Sequence, residues 1–113
     1  MRTLSFIVDK QIIKKDPNCN FGGLIPGTEG YLQAKFIFSH DWDGCVKVAG
    51  FSSKMGKEYK PQILKDGCTC MIPAEALSKV EFKIQVVGKK EDLTLTTNKI
   101  AVKQNGGKEW VLN

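Results

Sequence analysis

Few residues in this chain could do chemistry: one histidine, His40, four cysteines, Cys19, Cys45, Cys68 and Cys70, and the aspartates Asp41 and Asp43. Covalent catalysis needs a nucleophile within hydrogen-bond reach of a base. No serine sits in a Gly-x-Ser-x-Gly setting, and no cysteine stands in a recognised nucleophile context. A Cys45–His40 pair brought together by the turn between them keeps that chemistry open, against the plainer reading of His40 as an exposed turn residue. Zinc sites announce themselves by paired Cys-x-x-Cys or histidine spacing. Here Cys68-x-Cys70 would put two thiols on one strand face about 7 Å apart, with Cys45 and His40 as further ligands. The competing reading, which we adopt, is thiols packed as small apolar groups in the core or at an edge. Asp41-x-Asp43-Gly44 opens like a calcium loop but lacks the longer run of ligands and the closing glutamate, so its aspartates are expected to bond turn amides. Gly22-Gly23 and Gly106-Gly107 lack the context of a phosphate loop and read as turns. We therefore expect no catalytic residue, no cofactor and no metal, and a chain that is not an enzyme.

The elements that would position these residues follow a period of two. Leu4, Phe6 and Val8 alternate as a strand, and Asp9-Lys10 is expected to turn the chain into a second strand over residues 11–14. The prolines and glycines of 16–30 mark a surface loop. From Tyr31 the alternation returns, with Leu32, Ala34, Phe36 and Phe38 on one face. Residues 39–44 form a tight turn, and Cys45–Phe51 is the next strand, with Val46 and Val48 on one side and Lys47 and Ala49 on the other. Residues 58–64 form a strand to which 68–72 pairs back as a hairpin across Asp66-Gly67. Pro73-Ala74-Glu75-Ala76-Leu77 is the one helical turn. Val80, Phe82, Ile84 and Val86 then alternate, Gly88–Asp92 is a charged turn, and Leu93 and Leu95 lead on to Ile100 and Val102. Residues 105–113 form a tail in which Trp110-Val111-Leu112 is a last short strand or a packed end. Helical crossovers are missing, so the expected fold is all-β: a single antiparallel β-sandwich of about eight strands spanning residues 1–113, with one short helical turn.

Composition narrows function further. Seventeen basic against twelve acidic residues give a formal charge of +5, but Arg2 is the only arginine. Lysine is a mobile point charge, whereas reading guanine edges or clamping phosphate draws on the guanidinium fork. The phenylalanines fall on core faces, leaving Trp42, Tyr59 and Trp110 as the aromatics that a partner could meet, so nucleic acid is not an expected partner. The opening residues are charged again at Asp9, too early for a targeting segment, and no apolar run reaches the roughly 18–20 residues of a membrane span. No membrane association is expected, and the cysteines are expected to be thiols of a cytoplasmic protein.

Three segments carry a resemblance. Residues 36–51, FIFSHDWDGCVKVAGF, have the form strand, Ser-x-x-Trp-Asp-Gly, then Lys-x-Ala-x-Phe. Residues 66–77, DGCTCMIPAEAL, and 96–102, TTNKIAV, follow as a cysteine strand with a proline-led helical turn and a closing strand. Together they make most of residues 30–103 similar to the N-terminal β-sandwich module of phage baseplate and tail-fibre proteins from Gram-positive hosts. The resemblance implies that Trp42 folds over the end of the sandwich while Asp41 and Asp43 tie the turn and Gly44 relieves its backbone. It also implies a non-enzymatic virion protein, such as a baseplate or tail-fibre part, a capsid decoration protein or a head-fibre base. Such a protein would be oligomeric or lattice-bound among other phage structural proteins, with Tyr59 and Trp110 as possible contacts. The glycine-rich loop, the tail, and a chain ending at Asn113 with no appended fibre depart from the pattern. They keep a second expectation open, an anti-defence inhibitor that binds a host nuclease. Either would be found in the virion or the host cytoplasm.

Overall fold

The computed structural model describes residues 1–105. Over these the chain forms two packed sheets and is an all-β sandwich, with nine strands and one short helix. In chain order the strands are β1 (Arg2–Asp9), β2 (Ile12–Lys15), β3 (Leu32–Phe38), β4 (Val46–Ser53), β5 (Gln62–Ile63), β6 (Thr69–Met71), β7 (Glu81–Lys90), β8 (Leu93–Thr96) and β9 (Ile100–Lys103), and the helix is α1 (Ala74–Leu77). One sheet has the order β2-β1-β3-β6; the other is β5-β4-β7, with β8 and β9 along the free side of β7. Alternation puts Leu4, Phe6, Val8, Leu32, Ala34 and Phe36 of the first sheet against Ala49, Phe51, Phe82, Ile84 and Val86 of the second, all buried. Phe6 stacks on Phe36 at 5.5 Å between ring centroids, so aromatic packing fills the middle of the layer.

Several sequence expectations are corrected. The sandwich is not wholly antiparallel: β1 and β3 pair in parallel, Arg2 opposite Leu32 through Val8 opposite Phe38. A parallel pair needs a long crossover, which is usually a helix. Here the glycine- and proline-rich loop supplies it. It runs back past the start of β1, where the Asp16 amide donates to the Ser5 carbonyl and Arg2 Nη2 donates to the carbonyls of Asn20 (2.9 Å) and Gly22 (2.6 Å). The first hairpin turns at Lys10-Gln11 rather than Asp9-Lys10, with Lys10 in the left-handed region at φ 56°. The strand expected over 58–64 shrinks to Gln62–Ile63 next to Pro61, because proline has no amide for a ladder; a lone bridge joins Ser52 to Glu58.

The 68–72 segment does not pair back on its neighbour. It crosses to the other sheet, where Cys70 lies opposite Ala34. Only the Lys65–Thr69 bridge remains of the expected hairpin. β7 runs through Gly88 to Lys90, so the turn is the shorter Glu91-Asp92, with Glu91 at φ 51°. The last expected strand breaks in two at residues 97–99. There the Thr97 hydroxyl accepts from the Val86 amide at 3.0 Å, and Asn98 reaches across to the first sheet. Asn98 Oδ1 accepts from the Ile13 amide at 2.8 Å, its Nδ2 donates to the Ile13 carbonyl at 3.4 Å, and its amide donates to the Gln11 carbonyl. One side chain therefore completes the edge of β2 as a strand would, and ties the two sheets along that flank. The expected strand or packed end around Trp110 lies outside the described residues.

Candidate functional site

The turn between β3 and β4 carries the only histidine and most of the motif residues, and it is where the chain first passes from one sheet to the other. It is a single 3₁₀ turn, His40–Trp42, in which the Trp42 amide donates to the Ser39 carbonyl and the Asp43 amide to the His40 carbonyl. Ser39 anchors it to the first hairpin: its amide donates to the Val8 carbonyl at 2.9 Å, and its hydroxyl accepts from the Lys10 amide at 3.0 Å. The hydroxyl also donates to Asp41 Oδ2 at 3.1 Å. Asp43 Oδ2 lies 3.1 Å from His40 Nδ1. The aspartates thus bond a hydroxyl and a ring nitrogen, not the turn amides expected from sequence. A short carboxylate reaches a neighbouring side chain as readily when the amides are already engaged by the 3₁₀ turn. Gly44, at φ 79°, supplies the left-handed residue that lets the chain leave the turn into β4.

Trp42 is completely enclosed. Its Nε1 donates to the Lys10 carbonyl at 2.8 Å, and its ring lies 5.1 Å from that of Phe38. The other wall is Gly88: a Cβ built there would sit 2.7 Å and 2.8 Å from ring carbons Cζ3 and Cε3 of Trp42. A strand glycine at such a place marks close approach of another group to the backbone. The indole thus plugs the end of the sandwich, joined to the first hairpin by its N–H and to the second sheet by its face. Sequence reasoning placed Gly88 in a turn and missed this role. The signal was present, since Phe82, Ile84 and Val86 set the inward phase that Gly88 continues.

The other candidates separate. The His40 side chain is fully exposed with its ring nitrogen on Asp43, whereas Cys45 is buried. All four cysteines are free thiols. Cys70 packs in the core, where burial pushes its thiol up to about 12, while Cys68 lies in the turn before β6. Cys19 sits in the crossover loop and accepts a hydrogen bond from the Ser5 amide at 3.3 Å. No group of three or more His, Cys, Asp or Glu side chains gathers among the described residues. No helix among them is long and apolar enough to cross a membrane. Tyr59 is half-buried against the core, its amide donating to the Phe51 carbonyl. It borders a hollow of about 140 Å³ formed with Gly50, Pro61, Gln85 and Lys99 on the outer side of the five-stranded sheet. Trp110 lies outside the described residues. Comparison of the chain with protein-family models, curated proteins and solved structures finds no match.

Proposed function

We propose that the chain is a non-enzymatic structural protein of a phage particle, a baseplate or tail-fibre type module, a capsid decoration protein or a head-fibre base, acting through contacts with other proteins. One observation carries the reading: the motif of the resemblance is devoted to architecture. Trp42 has no exposed surface, Ser39, Asp41 and Asp43 tie the turn, and Gly44 provides its left-handed exit. A residue set of that kind specifies a fold that presents a surface. In keeping with a surface meant for contact, large aliphatic side chains stand outside the core, among them Val46 at 64% and Ile63 at 70% exposure.

A second reading, an inhibitor of host defence that binds a nuclease, is favoured by charge. Among the described residues the only ion pair is His40–Asp43, so the positive charge of the lysines is not neutralised by internal partners there. Deleting the gene from the phage separates the two readings. A structural part gives defective or altered particles on every host. An inhibitor gives normal particles that fail only on hosts carrying the defence. Normal particles and normal plating on both kinds of host would contradict each reading.

A further inference from the structure

The outer face of the five-stranded sheet carries an ordered pattern that no other element among the described residues covers. Because Ala49, Phe51, Phe82, Ile84 and Val86 point inward, their neighbours Val46, Val48, Gly50, Lys83, Gln85, Val87 and Lys89 point out. Register aligns them across strands. Ile63 lies opposite Val48 and Val48 opposite Val87, giving an aliphatic row over three strands that ends at Thr96, opposite Val87. Below the row, Gly50 lies opposite Gln85 and leaves the floor of the hollow beside Tyr59 open, with Lys99 on its rim. Lysines bracket the row: Lys89, opposite Val46, on one side, and Lys83 and Lys99 on the other. Lys83 and Lys89 are six positions apart on one strand, so the bracket spans about 20 Å. Of the acidic residues, Glu58 lines the hollow together with Lys99 and Glu81 stands at one end of the face; neither forms an ion pair with these lysines.

We propose that this face docks an acidic surface of another protein, apolar at its centre, with the Ile63–Val48–Val87 row as the dry middle of the contact, the lysines as its charged rim and the hollow beside Tyr59 as a socket for one partner side chain. The inference rests on the reading of the chain as a protein-binding structural part and gives that partner its chemistry. A second copy of the same face is excluded by charge, since lysine would meet lysine. The face also suits protein better than nucleic acid: its central row is aliphatic, the ring beside it, Tyr59, is half-buried against the core, and the sole arginine, Arg2, is held by the loop carbonyls at the other sheet. An apolar centre inside a charged rim is the anatomy of a protein interface.

The test uses the full chain and an immobilised random copolymer of glutamate and tyrosine as the acidic, partly apolar probe, with heparin and oligothymidylate as competitors. The expected result is retention at about 50 mM NaCl that weakens as salt screens the rim. Val48→Asp and, separately, the pair Lys83→Glu and Lys89→Glu should each lower it at least about tenfold, in the range seen when charges across an interface are altered. Ile37→Asp, on the outer face of the other sheet, should leave it unchanged. Equal binding by all variants, no retention of the wild type, or preference for heparin or oligothymidylate overturns the proposal. The charge-reversed pair keeps the test decisive if Val48→Asp misfolds. Recovery of the protein in particles without copolymer binding would remove this docking face and leave the virion reading standing; copolymer binding with absence from particles would do the reverse.

Discussion

Replacing Gly88 with alanine tests the claim that Trp42 is the plug of the sandwich. The added methyl would meet Cζ3 and Cε3 of the indole at 2.7 Å and 2.8 Å, and Cys45 Cβ at 3.2 Å. Reaching an ordinary carbon contact of about 3.5 Å requires the ring to retreat by about 0.8 Å. The ring has no free direction: it has no exposed surface, lies against Phe38, and is held through Nε1 by the Lys10 carbonyl at 2.8 Å. Overpacking of this kind costs about 1–3 kcal/mol. Loss of the buried indole hydrogen bond adds about 1–3 kcal/mol if the ring swings far enough to break it. The expected destabilisation by Gly88→Ala is therefore about 1–3 kcal/mol with the hydrogen bond kept and about 2–6 kcal/mol with it broken. The assay is urea unfolding followed by far-ultraviolet circular dichroism, with a double-mutant cycle against Trp42→Leu. Without the indole the methyl has room, and alanine is favoured over glycine in a strand by about 0.5–1 kcal/mol, so the second substitution should then be neutral or stabilising. A cost below about 1 kcal/mol in the wild type, or one that persists unchanged in the Trp42→Leu background, would refute the reasoning.

Three further outcomes are expected. Asn98→Ala should cost about 1–3 kcal/mol by leaving the Ile13 amide without its partner, and should speed hydrogen exchange there; an unchanged exchange rate would show that the flank is not held by this side chain. The Cys70 thiol is neutral in the fold and raised to about 12, whereas the unfolded chain ionises near the ordinary value of 9.0. The folded state therefore holds the proton longer. Its stability is fully present below about pH 9 and is lost as pH rises towards 12, at up to about 1.4 kcal/mol per pH unit. Cys70→Ala should flatten that alkaline fall in denaturant midpoints, and equal slopes would contradict the assignment. Lys10→Asn should raise stability by about 0.5–1 kcal/mol, because Lys10 sits at φ 56° in a two-residue hairpin turn that asparagine tolerates better; a lower melting temperature would contradict this.

Period-two alternation made the strands legible wherever one face is buried. Leu4, Phe6 and Val8, the 32–38 run, and Phe82, Ile84 and Val86 all lie where their spacing puts them, and the two-layer β architecture follows from them. Alternation says which way a side chain points but not which strand lies alongside. That is why the parallel pairing of β1 with β3 and the crossing of β6 to the other sheet were not legible, whereas the place of Gly88 in β7 was legible from the inward phase of Phe82, Ile84 and Val86. Asn98 was silent for a related reason: a side chain that substitutes for a strand edge has meaning only once Ile13, distant in sequence, lies beside it. The role of Trp42 was half legible. The resemblance implied an end cap, but as an isolated aromatic among polar neighbours it read equally as an exposed contact until the partners Lys10, Phe38 and Gly88 were in place. The outer apolar row was hidden likewise, since Ile63, Val48 and Val87 become one surface only through the register of three strands.

The central claim, that the chain is a structural part of a phage particle, is tested most directly by peptide mass spectrometry on density-purified particles, with copy number measured relative to the major capsid protein. The account predicts that the protein co-bands with particles at a fixed ratio, near-stoichiometric for a decoration protein and far lower for a baseplate or tail part. Absence from particles, together with strong expression in infected cells, would contradict it.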